Sequence, residues 1–127
     1  MRQVTLSVVA PVYCEGVHLP EFVNALAAEL ARLKNDYGAS YEIVLVDDGS
    51  TDETWEVMRA LTGQHACLRC LRLSRNFGKD AALSAGLAAA RGDAVITMDS
   101  DMQHPVALIP EMVALWRTGR VDVVDVR

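Results

Sequence analysis

Residues 41–61 read YEIVLVDDGSTDETWEVMRAL, and this stretch decides the fold class. Tyr41 to Val46 is short, apolar and rich in β-branched residues, as a buried strand is. Asp47-Asp48-Gly49 then stops it, because Asp and Gly favour turns over regular ladders. Ser50-Thr51-Asp52-Glu53 has the S-x-x-E pattern of a capping box, which predicts a helix opening there and running through Leu61. One strand, one acidic loop and one helix thus follow each other in about twenty residues.

The same alternation continues in both directions. Upstream, Thr5 to Val12 (TLSVVAPV) reads as a buried strand that stops at Tyr13-Cys14-Glu15-Gly16. Leu19, Phe22, Val23, Leu26, Leu30, Leu33 and Tyr37 then recur at helical spacing with Glu29, Arg32 and Lys34 between them. Downstream, Cys67 to Leu73 predicts a third strand, Lys79 to Arg91 an alanine-rich helix, and Ala94 to Met98 a fourth strand. Pro105 and Pro110 are expected to open a helix carrying Ile109, Met112, Val113 and Trp116, since proline is tolerated in a first helical turn. Val121 to Val126 resembles the start of a fifth strand. Strands alternating with helices through short connections predict a parallel sheet covered by helices on both faces, so the fold class is α/β.

Composition bounds the function. The chain has 127 residues, 51% hydrophobic and 23% charged, with a mean hydropathy of +0.16. That describes one globular domain able to bury its own core. Twelve basic against seventeen acidic residues leave a net charge of −5, which argues against a nucleic-acid groove. No stretch reaches the ~20 apolar residues that span a bilayer. Neither is there a signal peptide's apolar region, so the expected address is the cytoplasm. Three cysteines, Cys14, Cys67 and Cys70, cannot close a disulfide framework. Cys67 and Cys70 form a C-x-x-C, but a strand sends positions three apart to opposite faces, and half-buried free thiols are expected there.

In an open parallel sheet, ligands bind beyond the carboxyl ends of the strands. The residues there are polar: Pro11-Val12-Tyr13-Cys14-Glu15 after strand one, Asp47-Asp48-Gly49-Ser50 after strand two, Ser74 to Lys79 after strand three, and Asp99-Ser100-Asp101-Met102-Gln103 after strand four. Asp99 and Asp101 point the same way in extended chain and repel each other, which a hard divalent cation relieves. Mg²⁺ or Mn²⁺ usually keeps positions for water and phosphate oxygens, so D-x-D suits a diphosphate. The plain alternative is a solvated turn in which one of the pair caps the next helix. Asp48 is a candidate acceptor for a base or ribose, and Arg75 and Lys79 offer cations near the same edge, unless they belong to a solvated face shared with Arg69 and Arg72. There is no G-x-G-x-x-G after the first strand, no P-loop and no G-x-S-x-G elbow. His18, His65 and His104 have no serine or cysteine partner by spacing and are expected on the surface.

Taken together, SVVAPVYCE (7–15), EIVLVDDGSTD (42–52) and DSDMQHP (99–105) resemble the motifs of family 2 glycosyltransferases of the GT-A fold. LSRNFGKDAA (73–82) resembles the branch that transfers sugars to polyprenyl phosphate, such as dolichyl-phosphate mannosyltransferases. The resemblance implies that residues 1–127 form the nucleotide-sugar-binding N-terminal part of a GT-A domain. It implies that Pro11, Tyr13 and Glu15 line the nucleoside pocket, that Asp48 contacts the base, and that Lys79 lies near the nucleotide. Asp99 would face the ribose and sugar phosphate, and Asp101 with Gln103 would hold Mg²⁺ or Mn²⁺. Asp99 and Asp101 are the candidate catalytic residues. Cys14 departs from the family, which usually has Asn there.

The implied reaction is an inverting transfer from a UDP- or GDP-linked sugar to polyprenyl phosphate, with membrane contact made by regions beyond this chain, at the cytoplasmic face. The chain ends on a strand, which leads to the expectation of a longer enzyme. Two other readings are a Mg²⁺-binding receiver domain and a non-catalytic nucleotide-binding fragment. A receiver carries its acidic pair after the first strand and its lysine after the fifth. Here the pair follows the second strand and Lys79 the third.

Overall fold

The computed structural model describes residues 5–38, 40–100, 109 and 123–125. Its elements run β1 (Thr5–Val12), α1 (Leu19–Tyr37), β2 (Ser40–Asp47), α2 (Thr54–Thr62), β3 (Leu68–Arg72), α3 (Lys79–Ala89), β4 (Ala94–Thr97) and β5 (Val123–Asp125). The strands form one sheet in the order β3-β2-β1-β4-β5, and every pairing is parallel. The α/β architecture read from the sequence is thus the observed one. Ile109 is helical and buried, while the remainder of the helix expected around Pro105 and Pro110 lies outside the described residues.

Strand alternation divides the core. Leu6, Val8, Ala10 and Val12 of β1 face α1 and α2, where Phe22, Leu26, Leu30, Met58 and Leu61 complete the larger cluster. Val9, Val44 and Val46 face the other way, against Ala82 of α3. α3 is built from small residues because it lies close to the sheet: a Cβ on Gly86 would sit 2.3 Å from Cγ1 of Val9.

The chain steps from β1 to β2 to β3 in one direction, then crosses to place β4 on the other side of β1. In open α/β sheets the ligand crevice lies at such a reversal. Here it opens at the carboxyl ends of β1 and β4.

Two local expectations are corrected. Ser50 does not cap α2. The residue before the helix is Glu53, with no side-chain cap, and the Ser50 hydroxyl instead accepts the Cys14 N–H at 2.8 Å. Asp52 takes up the helix start, accepting the Thr54 N–H at 3.0 Å, so the turn runs longer than the S-x-x-E spacing requires. Cys67 and Cys70 do not face opposite ways, as both pack against the larger core cluster. Cys67 precedes β3, so strict alternation does not reach it. Both are half-buried free thiols. Burial raises the Cys67 thiol, and burial with the nearby Asp47 carboxylate pushes Cys70 up to about 11.

Candidate functional site

A cleft of about 260 Å³ occupies the crevice, lined by Pro11, Val12, Tyr13, Glu15, Asp48, Lys79, Asp99 and Ser100. Each strand end contributes. β1 runs out into Tyr13 and Glu15, β2 into Asp48, the loop after β3 delivers Lys79 at the first position of α3, and β4 runs out into Asp99. The six residues named as nucleotide contacts from sequence, Pro11, Tyr13, Glu15, Asp48, Lys79 and Asp99, therefore all meet in one cleft. Asp101 and Gln103 lie outside the described residues.

The acidic groups are held in different ways. Asp48 is buried, and its two oxygens accept the N–H groups of Phe77 at 2.9 Å and Gly78 at 3.1 Å. One carboxylate thereby fastens the loop leading into α3. Each oxygen retains a further lone pair, and the residue still lines the cleft. Gly49 lets the two loops touch: it has φ +71°, and a Cβ there would lie 2.2 Å from the carbonyl carbon of Arg75. Asp99 is paired with Lys79, Nζ to Oδ1, at 2.5 Å. This ion pair crosses the cleft from α3 to the end of β4.

Tyr13 is 45% exposed. The adjacent Cys14 sulfur, burial, and the carboxylates of Asp48 and Asp52 all raise its phenol above the usual range, so it meets a ligand as a neutral group. Cys14 has φ +51°, in the left-handed region that Asn and Gly tolerate better than most residues. Asn at this position of the family motif thus has a backbone reason as well as a polar side chain.

Not every cation near the strand ends belongs to the cleft. Arg75 stacks on Phe77, 4.7 Å from the ring centroid, and Arg72 lies over Trp55 at 5.4 Å. Arg69 is committed to Glu42 at 2.7 Å and to the carbonyl of Ala89 at 3.0 Å. The four basic residues form no common face. Lys79 is the cation that reaches the cleft among the described residues. Ser100 is a lining residue that the sequence reading passed over. Its hydroxyl donates to the Pro11 carbonyl at 3.1 Å, joining the ends of β4 and β1. The available signal was its place in the polar run that follows strand four.

Of the histidines, His65 shares a 2.8 Å hydrogen bond with Asn24, His18 is exposed at the start of α1, and His104 lies outside the described residues. Among the described residues no three His, Cys, Asp or Glu side chains gather as a metal cage. No helix among them is long and apolar enough to cross a membrane.

The strand order, the crevice at its reversal and the polar strand ends define an open-sheet α/β protein whose class places its ligands at this position. Residues 7–127 match the model of glycosyl transferase family 2, and the chain belongs to that family. It is 43% identical over 109 residues to the undecaprenyl-phosphate 4-deoxy-4-formamido-L-arabinose transferase of Pseudomonas paraeruginosa, a match covering 85% of this chain and 31% of that protein. Among solved structures, the mannosyltransferase PcManGT from Pyrobaculum calidifontis, in complex with GDP-Man and Mn²⁺, superposes with a TM-score of 0.67 at 26% identity, covering 79% of this chain and 28% of the other. The TarS 1–349 structure from S. aureus in complex with UDP gives 0.63 at 27% identity, covering 84% and 32%. The fold is therefore GT-A, and the chain spans about a third of the length of the relatives it matches.

Proposed function

We propose that residues 1–127 are the nucleotide-sugar-binding part of a metal-dependent, inverting glycosyltransferase that moves a sugar from a UDP- or GDP-linked donor to polyprenyl phosphate, at the cytoplasmic face of the membrane. The observation that carries the proposal is the meeting of Pro11, Tyr13, Glu15, Asp48, Lys79 and Asp99 in one cleft at the strand-order reversal. Family membership and relatives whose names state undecaprenyl-phosphate transfer support the acceptor. Neighbours solved with GDP-Man and Mn²⁺, or with UDP, support the donor class and the metal.

In this reading the nucleoside packs between Pro11 and Tyr13 and hydrogen-bonds to the lone pairs of Asp48 left free by Phe77 and Gly78. Glu15 lies at the same wall. Lys79 leaves Asp99 and turns its ammonium to the diphosphate, while Asp99 becomes available to the ribose and sugar phosphate. Asp99 fits a role beside a cation, being a cleft carboxylate already matched to a positive group; Asp101 and Gln103 would hold Mg²⁺ or Mn²⁺ two and four residues further on. When bound, the metal supplies Lewis-acid stabilisation of charge on the departing diphosphate. An acceptor phosphate oxygen attacks the anomeric carbon from the face opposite the leaving group, the bond to the diphosphate breaks, and its electron pair leaves with the nucleoside diphosphate. The acceptor is already an anion, so no general base is required.

Calorimetry with UDP and with GDP, in Mg²⁺ or Mn²⁺ and in EDTA, tests the reading. Metal-dependent binding of one nucleotide is expected. Asp101→Asn should remove the metal-dependent part, roughly the 1.5–3 kcal/mol of a charged hydrogen bond. Equal affinity with and without metal overturns the metal role. Sugar transfer to polyprenyl phosphate by the natural protein containing this domain tests the acceptor, and transfer to a hydroxyl acceptor alone overturns it.

A further inference from the structure

We propose that Ser50 and Thr54 are positioning residues whose hydroxyls tether the segment after β1 to the loop after β2 and hold Tyr13 and Glu15 in the cleft. Regular pairing ends at Val12 and Asp47, with one further backbone bond from the Asp48 N–H to the Val12 carbonyl at 2.8 Å. β2 then turns away at Gly49, and β1 continues with no strand carbonyls beside it. Side chains take their place. The Cys14 N–H donates to Ser50 Oγ at 2.8 Å, and the Gly16 N–H donates to Thr54 Oγ1 at 3.1 Å. Three hydrogen bonds, at residues 12, 14 and 16, therefore tether the segment beyond the point where the strand ends.

Ser50 is held through its backbone and Thr54 through its hydroxyl. The Ser50 N–H donates to Asp47 Oδ1 at 2.9 Å, and Thr54 Oγ1 donates its proton to Asp52 at 2.5 Å, which leaves a lone pair for Gly16. Ser50 is 7% exposed and Thr54 fully buried, so water does not compete easily for either bond. Neither side chain lines the cleft, whereas Tyr13 and Glu15, which alternate with Cys14 and Gly16, both do. The Ser50 bond also holds Cys14 at its positive φ.

The ligand part of this inference rests on the nucleotide reading above, and the experiment separates the two. Amide hydrogen exchange is measured by NMR on the wild-type chain and on Ser50→Ala, Thr54→Val and Thr54→Ser, alongside calorimetry with UDP and GDP in Mg²⁺. In Ser50→Ala the Cys14 amide should exchange at least tenfold faster, and in Thr54→Val the Gly16 amide, with Ile43 and Val44 of the sheet unchanged. Nucleotide affinity should fall at least fivefold in both, and Thr54→Ser, which keeps the oxygen, should restore it. Unchanged exchange at Cys14 and Gly16, or faster exchange with unchanged affinity, overturns the positioning role. A wild-type chain that binds neither nucleotide overturns the function reading instead, and the exchange data still decide whether the hydroxyls hold the segment. Should Thr54→Val fail to fold, Ser50→Ala decides by the same criteria.

Discussion

Two polar clusters sit at opposite ends of the same sheet, and their difference separates a structural network from a site. Toward the strand starts, the buried Glu42 accepts the Ser7 hydroxyl and the Arg91 N–H at 2.6 Å each and Arg69 at 2.7 Å. Arg69 closes the end of α3 through the Ala89 carbonyl, and Ser7 accepts the Gly92 N–H at 2.8 Å. Here the protein supplies three donors to one carboxylate, one of them a cation. At the other end, Asp48 holds a loop with lone pairs to spare, and Lys79 and Asp99 pair across an open cleft; the buried Asp47 Oδ2, which does not line that cleft, has only Arg72 at 3.8 Å. Buried polar groups are normally satisfied, so acceptor capacity left over around a cavity marks where a ligand belongs.

The largest effect should come from joining the two loops of the cleft badly. Gly49→Ala combines a left-handed backbone, costing about 1–2 kcal/mol, with a contact to Arg75 and Asn76 backbone that overpacking data place at about 1–3 kcal/mol. A loss near 3 kcal/mol in urea unfolding is expected, with nucleotide affinity reduced more than tenfold. An alanine variant of wild-type stability would show that the loops do not pack as described.

The Glu42 cluster should behave in the opposite sense. Glu42→Gln is expected to cost about 2 kcal/mol, below the range for fully buried pairs because Arg69 is partly exposed, while nucleotide affinity stays within twofold. Burial works to raise the Glu42 carboxyl, but its bonds from Ser7, Arg91 and Arg69 more than offset this and hold it below the ordinary value of 4.5. Its stabilisation is therefore complete above that pH and is lost as pH falls through the lower folded value. Unfolding measured from pH 6 to pH 3 should lose part of its slope in Glu42→Gln. A variant that instead abolished nucleotide binding at full stability would collapse the distinction between the two clusters.

The smallest effect tests the cleft's rim. Cys14→Asn places a residue that accepts positive φ where φ is +51°, and should raise stability by about 0.5 kcal/mol, read as a small increase in Tm. A decrease would show that the Cys14 sulfur, 3.8 Å from the Thr51 hydroxyl, contributes more than the strain removes.

Much of this was legible without coordinates. Runs of mostly apolar, β-branched residues located β1, β2 and β4 within one or two residues, because strands covered on both faces carry few polar side chains, here Ser7 and Glu42. The spacing from Leu19 to Tyr37 matched α1 at both ends. The cleft residues were found because parallel sheets place their sites at strand ends. What failed was local pattern used without its surroundings: S-x-x-E at Ser50 described a cap, yet the hydroxyl had a better partner 36 residues away in Cys14. Likewise Arg75 was near the correct edge but lay on Phe77, since a loop's path, not its position in the chain, aims the side chain.

By itself the sequence determined the alternation of strands and helices, the acidic character of the strand ends and the family, because these follow from periodicity, residue chemistry and motif order along the chain. Tertiary structure decided that β4 lies against β1, and hence that the residues following β1 to β4 share one crevice, because strand order depends on crossovers and on the close approach of α3 that Gly86 permits. It also decided which polar groups the protein satisfies for itself, as at Glu42, and which it leaves with unused acceptors, as at Asp48. Hydrogen bonding of this kind is a property of neighbours in space, and residues 27 to 49 positions apart supply it to Glu42 and Asp48.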